Sequence, residues 1–265
     1  MTDSGLSTIN YEAQDREVSW RGVSMADEDS FDAFITSEVA SRLRDREAAN
    51  EFEAHLRGLA NTGFARDNLN RILAAEVPEE RSWAVCEALA EAYLEREHNI
   101  TWPWNMEREK RTPKACLPGA DLVGFEVNGD NVRLALGEVK ASSEERYPPQ
   151  LMNGRSGHMG HQIDDLATNL GLIYQLFKWL WIRCKSTKHE ASFNAAMAVY
   201  LDSGNRAVAL FGVLVRDTQP NELDLKARGK TLAGTLQDPA TCQLVAIYLP
   251  CGIGDLPARV SGGGS

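Results

Sequence analysis

The stretch Pro118–Lys140, PGADLVGFEVNGDNVRLALGEVK, decides the fold of this 265-residue chain. Asp121–Val127 and Val132–Lys140 are strand-like, and Asn128-Gly129-Asp130-Asn131 between them is a hairpin turn signal. With Gly129 and Asp130 as the central pair of the turn, Asp121 falls opposite Glu138. Side chains alternate along a strand, so Glu138 and Lys140 share a face. Two carboxylates and a lysine are thus expected to meet at one end of a hairpin. A slip of one residue would turn the set to the other face, so the register matters.

Carboxylates that close repel each other unless a cation sits between them. Hard oxygen donors without Cys or His suit Mg²⁺ or Mn²⁺. Such an ion polarises a phosphate and lowers the pKa of a bound water. A lysine beside it orients that water or stabilises charge developing on the phosphoryl group. The alternative is an exposed Asp, Glu and Lys forming weak cross-strand pairs, worth under about 1 kcal/mol. The full arrangement of Gly119-Ala120-Asp121, hairpin and Gly137-Glu138-Val139-Lys140 favours phosphodiester hydrolysis over that alternative.

Downstream, a loop rich in Pro, Gly and Ser runs through Tyr147–Gly157, and a long amphipathic helix is expected over Gly160–Cys184. Leu166, Leu170, Ile173, Tyr174, Phe177 and Trp181 form its core stripe, and Trp179 and Ile182 widen it toward a partner surface. Ala195–Leu201 and Ala207–Val215 read as strands joined at Asp202–Asn205, and Cys242–Leu249 as a last strand.

Upstream, Glu79–Glu97 reads as a helix whose Trp83, Val85, Cys86, Leu89, Ala90, Tyr93 and Leu94 fill one broad arc. Glu80, Glu91 and Glu95 lie opposite, and Glu87 sits at the edge of the arc. Residues 27–75 are helical, with Phe31, Phe34, Ile35, Val39 and Leu43 at helical spacing and a break at Asn61-Thr62-Gly63. Residues 1–25 read as an irregular lead-in, with Val18–Met25 as an edge strand. The order of elements predicts a mixed α/β fold without internal repeats. It divides into an acidic, mainly helical region 1–75, a domain 76–260 and a linker-like SGGGS at 261–265.

Hydrophobic residues are 43% and charged residues 25% of the chain, which excludes wholesale disorder. The net charge of -10 is uneven: residues 1–99 carry 21 acidic residues, 10 Arg and no Lys, so the remainder is nearly neutral. An acidic N-terminal region is a poor nucleic-acid surface but a plausible protein-docking one. Arg183, Lys185 and Lys188, together with Arg108, Lys110, Arg111 and Lys114, are candidates for tracking phosphates. His158 and His161 lack a third N or S ligand for zinc, so phosphate contact or helix-end hydrogen bonding fits them better. The five cysteines show no C-x-x-C pair, the first residues lack a signal-peptide pattern, and the most apolar run, Leu170–Ile182, is too short for a bilayer span. These features predict a cytoplasmic protein without membrane contact.

Pro118-Gly119-Ala120-Asp121, 16 further residues and then Glu138-Val139-Lys140 resemble the active-site signature of PD-(D/E)xK nucleases. Pro118 stands three residues before Asp121 rather than next to it, and that spacing varies in the family. The resemblance implies a restriction-endonuclease-like αβββαβ core, a mixed sheet flanked by helices, here with a helical N-terminal extension. It implies Mg²⁺ or Mn²⁺ held by Asp121, Glu138 and the Val139 carbonyl, with Lys140 positioning the attacking water. Many members add an acidic residue from the helix before the hairpin, for which Glu87 is the candidate and Glu91 the alternative. Many also place a Gln, Lys or Tyr early in the helix after the E-x-K strand, where Gln162 stands. More narrowly, the acidic helical N-terminus with the GADLVGF and GEVK segments resembles the HamA family, nuclease subunits of Hachiman anti-phage systems. That likeness implies a DNA substrate, little sequence specificity and gating by a partner helicase, HamB. The rival expectation is a non-catalytic adaptor with a nuclease-like fold, binding a helicase or nucleic acid. An intact Asp121–Glu138–Lys140 set is not needed by a pure scaffold.

Overall fold

The computed structural model describes residues 5–75, 81–110, 119–153 and 155–262. Strands β1 (Ser7–Asp15) and β2 (Val18–Met25) form an antiparallel pair at the start of the chain. Helix α1 (Glu28–Phe34) follows and runs through a π-helical turn, Ile35–Val39, into α2 (Ala40–Arg44). Next come α3 (Arg46–Leu59), α4 (Gly63–Ala74) and α5 (Ser82–His98). A short β3 (Ile100–Thr101), β4 (Leu122–Asn128) and β5 (Asn131–Ser142) make an antiparallel meander. Helices α6 (Met159–Thr168), α7 (Leu170–Cys184) and α8 (Glu190–Asp202) lead to β6 (Val208–Arg216), parallel to β5. Helix α9 (Leu223–Thr235), β7 (Thr241–Tyr248) and α10 (Leu256–Val260) complete the fold.

All seven strands belong to one mixed sheet of order β1-β2-β7-β6-β5-β4-β3. The expected α/β class holds, and α5 through β6 run in the αβββαβ order. β6 is buried along its whole length, reading VALFGVLVR, as a central parallel strand covered on both faces should. On one face α6–α9 cover Leu134, Leu136, Leu210 and Leu244; on the other, α1, α5 and α10 cover Ala135, Val139, Phe211 and Val245. Helix α5 buries ten of its 17 residues in the second layer, and Glu87, Glu91 and Glu95 follow one another along its remaining side.

The structure departs from the sequence expectation at four places. Val18–Met25 is not an edge strand: β2 lies between β1 and β7, so residues 7–25 belong to the central sheet and the helical part of the N-terminal region begins at Glu28. Residues 195–201 are helix rather than strand. Ala195, Ala196, Met197 and Ala198 are strong helix formers, Phe193, Ala196 and Tyr200 line the buried side, and a parallel β5–β6 pair requires a crossover. The single helix expected over 160–184 divides at Asn169, whose side chain caps α7 by accepting the Leu172 N–H at 3.1 Å. The buried stripe of α7 is Ile173, Leu176, Leu180 and Cys184, while Leu170 and Tyr174, expected in the core, are exposed. Helix α9 and strand β1 carry too weak an apolar pattern to be read from sequence.

The four described cysteines are free, and Cys86, Cys184 and Cys242 are buried; Cys116 lies outside the described residues. Among the described residues, no helix is long and apolar enough to cross a membrane.

Candidate active site

The hairpin register brings Asp121, Glu138 and Lys140 together. Asn128 pairs with Asn131 and Leu122 with Gly137, so Gly129 and Asp130 are the central turn residues, Gly129 with φ 61°. β4 begins one residue after Asp121. Beyond Gly137 the open edge of β5 is therefore met by the Asp121 side chain, whose Oδ2 accepts the Val139 N–H at 2.8 Å. The N–H and C=O of one residue in an extended strand project toward the same edge, so the Val139 carbonyl is directed to the side where Asp121 stands. Lys140 Nζ lies 3.2 Å from Glu138 Oε2 and 3.9 Å from Asp121 Oδ2.

Glu138 is 1% exposed, whereas the Asp121 and Lys140 side chains are 22% and 20% exposed. A buried carboxylate thus forms the floor, and an aspartate and an ammonium line the mouth. Gly212 of β6 lies in register beside Glu138. A Cβ there would stand 2.7 Å from Ile163 Cδ1 and Leu244 Cδ2, so the missing side chain lets α6 seat closely over this part of the sheet.

Burial, and then the neighbouring Asp121 charge, push the Glu138 carboxyl far above the usual carboxylate range, and Lys140 offsets only part of this. Glu87 projects from α5, which covers the opposite face of the sheet, yet it shares a small cleft with Asp121, Glu91 and Lys110. The cleft holds about 20 Å³, room for one water-sized particle. Burial first and the Asp121 charge second push Glu87 up to about 8, against the opposing charge of Lys110.

Both groups carry a pKa raised above their unfolded value, so ionising them opposes folding. Their stability contribution is complete below the unfolded pKa of about 4.3 and is lost as pH rises through the folded values. With chelator present, the Tm of the protein should therefore fall between about pH 5 and pH 8. Glu138→Gln should flatten that slope, as should saturating Mg²⁺. Parallel pH–Tm curves for the two proteins would show that Glu138 is not crowded as described.

The donor set fits a hard divalent cation. Mg²⁺ keeps several waters and needs only one or two protein carboxylates. Asp121 and Glu138 supply two, the Val139 carbonyl a third oxygen, and Glu87 stands on the far side of Asp121. Among the described residues no three His, Cys, Asp or Glu side chains converge into a self-sufficient metal cluster, so water and substrate oxygens would complete the shell.

Other sequence candidates fall elsewhere. Glu91 is not on a solvated face: it lines the Glu87 cleft, pairs with Arg42 at 3.7 Å and is pushed up to about 7 by burial, with Arg42 opposing. The segment after α5 folds back over it, and Trp102 Nε1 donates to the Glu91 carbonyl at 3.0 Å. Gln162 stands on α6 with a buried Oε1 that has no hydrogen-bond partner, and no hydrogen bond joins it to the three central residues among those described. His158 and His161 are held locally, by Asn153 at 2.6 Å and Asp165 at 3.2 Å.

Three of the five described basic candidates are paired within the chain, whereas Lys185 and Lys188 form no ion pair among the described residues. Arg183 pairs with Glu109 at 2.5 Å, Arg108 with Asp45, and Lys110 with Glu107. Lys185 lies over the Trp181 ring, and Arg111 and Lys114 lie outside the described residues. Lys110 is therefore part of the carboxylate cleft rather than of a phosphate track, a role visible only once the 3₁₀ turn Met106–Glu109 is placed against α5. No family model matches the chain, and no curated protein is significantly similar to it.

Proposed function

We propose that the protein is a Mg²⁺- or Mn²⁺-dependent nuclease of the PD-(D/E)xK kind that hydrolyses DNA phosphodiester bonds with little sequence specificity. The observation that carries this reading is the meeting of Asp121, Glu138 and Lys140 at the open end of the β4–β5 hairpin. Asp121, Glu138 and the Val139 carbonyl would hold the metal, which supplies Lewis-acid activation of the phosphate and of a water. Lys140, within 4 Å of both carboxylates, orients the attacking water and offsets charge on the phosphoryl oxygens. Glu138 is buried, and the lower dielectric around it strengthens each of these interactions. Glu87 adds a further carboxyl group beside Asp121.

Cations already engaged in intrachain ion pairs bind phosphate weakly, so unaided affinity for DNA should be low and its salt dependence shallow. That supports a subunit brought to DNA by a partner, a helicase of the HamB type in a cytoplasmic anti-phage complex. Asp27 and Glu28, at the start of α1, are poor probes of acidic docking. Asp27 caps α1 by accepting the Ser30 N–H at 3.0 Å, and Glu28 lies 3.4 Å from Arg259. Asp67, exposed on α4, is a cleaner site for charge reversal. Failure of a helicase to co-purify with the chain would remove the partner from the reading.

Incubation with plasmid DNA in Mg²⁺ or Mn²⁺ should yield cleaved phosphodiesters, and exhaustive chelation should stop the reaction. Ca²⁺ should bind without turnover. Activity that survives chelation would exclude a metal at Asp121 and Glu138. A protein that binds DNA or a helicase but cleaves nothing in either metal, alone or in complex, would be the adaptor instead.

A further inference from the structure

A second cleft, of about 480 Å³, adjoins Asp121 on the α7 side. Its wall starts at Gly119 and Ala120, the two residues before Asp121, and continues over Leu172, Gln175, Leu176 and Trp179 of α7. Gly119 has φ 118°, and a Cβ there would stand 3.3 Å from Leu176 Cδ2. This close approach forms one wall of the cleft, whose lining ends at Ala120, one residue before Asp121. The volume lies within the range of about 300–1,000 Å³ that suits a small ligand.

Trp179 enters this wall as a fixed plane. The Arg183 guanidinium lies 4.2 Å from its ring centroid and donates Nη1 to the Trp179 carbonyl at 2.9 Å. Glu109 Oε1 holds Arg183 in turn, at 2.9 Å from Nε and 2.5 Å from Nη2. The indole is therefore ordered before any ligand arrives, which lowers the entropic cost of binding. The Arg183 charge is also balanced by Glu109, so the cleft offers no strong phosphate seat. What it presents is an aromatic plane, an apolar floor that includes Met106 and Val123, the amide of Gln175, able to donate and accept, and the Glu109 carboxylate, whose charge Arg183 balances. Those are the features that recognise a nucleobase: stacking on its face and hydrogen bonding at its edge.

Resting on the reading that Asp121, Glu138 and Lys140 act on a phosphodiester, we infer that this cleft receives a base adjoining the scissile phosphate, stacked on Trp179, and that the preferred substrate is therefore an unpaired strand. A base inside a duplex is stacked and paired, and it reaches a side cleft only after unpairing. A single strand needs no such step.

The test is binding of fluorescent oligonucleotides to the full chain in Ca²⁺, alongside cleavage in Mg²⁺. A single strand should bind about tenfold or more tighter than a hairpin duplex of equal length, within the range one base–aromatic stack supplies. Trp179→Ala should abolish the difference, whereas Trp179→Phe should keep most of it by preserving an aromatic plane. With the unaltered protein, moving a single abasic site along the strand should weaken cleavage at one fixed offset from the cut. Equal binding of both forms, no effect of Trp179→Ala, or indifference to abasic sites would each overturn the base cleft. The two readings fail separately. Cleavage untouched by Trp179→Ala removes the cleft and keeps the nuclease; Trp179-dependent single-strand binding without cleavage in Mg²⁺ or Mn²⁺ does the reverse.

Discussion

Replacing Glu138 or Lys140 by alanine should lower Mg²⁺-dependent hydrolysis by at least about 10²-fold, the loss typical when one group stabilising transition-state charge is removed. The two variants should differ in stability, and that difference makes the test specific. Glu138 is a buried carboxylate crowded by Asp121, and its ionisation works against folding. Removing it relieves repulsion, so the Glu138→Ala protein should melt no lower than wild type in chelator, apart from the small cavity left behind. Lys140 is the cation between the two carboxylates. Lys140→Ala should therefore lower the Tm in chelator, and Mg²⁺ should restore much of the loss without restoring turnover. Either variant cleaving at the wild-type rate would end the assignment. Unfolding of both would recast the cluster as structural.

That cluster was legible in the sequence because a two-residue turn sets an entire hairpin. Once Gly129 and Asp130 are central, alternation alone puts Glu138 and Lys140 on one face, and the Asp121–Val139 hydrogen bond follows from where β4 begins. Glu91 was misplaced for a reason equally physical. A helix wheel shows which residues share a side but not what later covers that side, and the Trp102–Glu109 segment that buries Glu91 arrives after the helix ends. Residues 195–201 were misread because a short apolar run fits strand or helix, and only the parallel neighbour pairing of β5 and β6 separates the two. The interior position of β2 was hidden more deeply: its partner β7 lies more than 200 residues away, and no local pattern reports such a contact. The large cleft beside Gly119 had a partial signal, since Trp179 falls off the core stripe of α7, but its opposite wall is made by other segments.

The second large effect is expected at Arg216, which is fully buried at the end of β6. Its Nε lies 3.3 Å from Asp224 Oδ2, its Nη1 donates to the Ser142 carbonyl at 2.8 Å, and its Nη2 donates to the Glu144 and Arg146 carbonyls at 2.7 and 3.3 Å. Tyr248 Oη completes the network at 2.9 Å from the same Asp224 oxygen. Burial raises the Asp224 pKa despite Tyr248 and Arg216, so this aspartate depends on its arginine to remain charged. Arg216→Met would leave the carboxylate unpaired and three carbonyls without a donor. A cost of about 3–5 kcal/mol is expected, readable as a shift in the urea midpoint. Asp224→Leu combined with Arg216→Met should recover part of that loss by removing both charges, because a buried pair is often replaceable by apolar residues whereas half of one is not. The carbonyls Arg216 holds belong to the end of β5 and the loop after it, beginning two residues past Lys140. If the network also fixes the strand that carries Glu138 and Lys140, the double variant should regain stability ahead of activity, with kcat depressed at saturating Mg²⁺. Recovery of both together would show that the buried pair serves the fold alone, and a single Arg216→Met variant as stable as wild type would show that it serves neither.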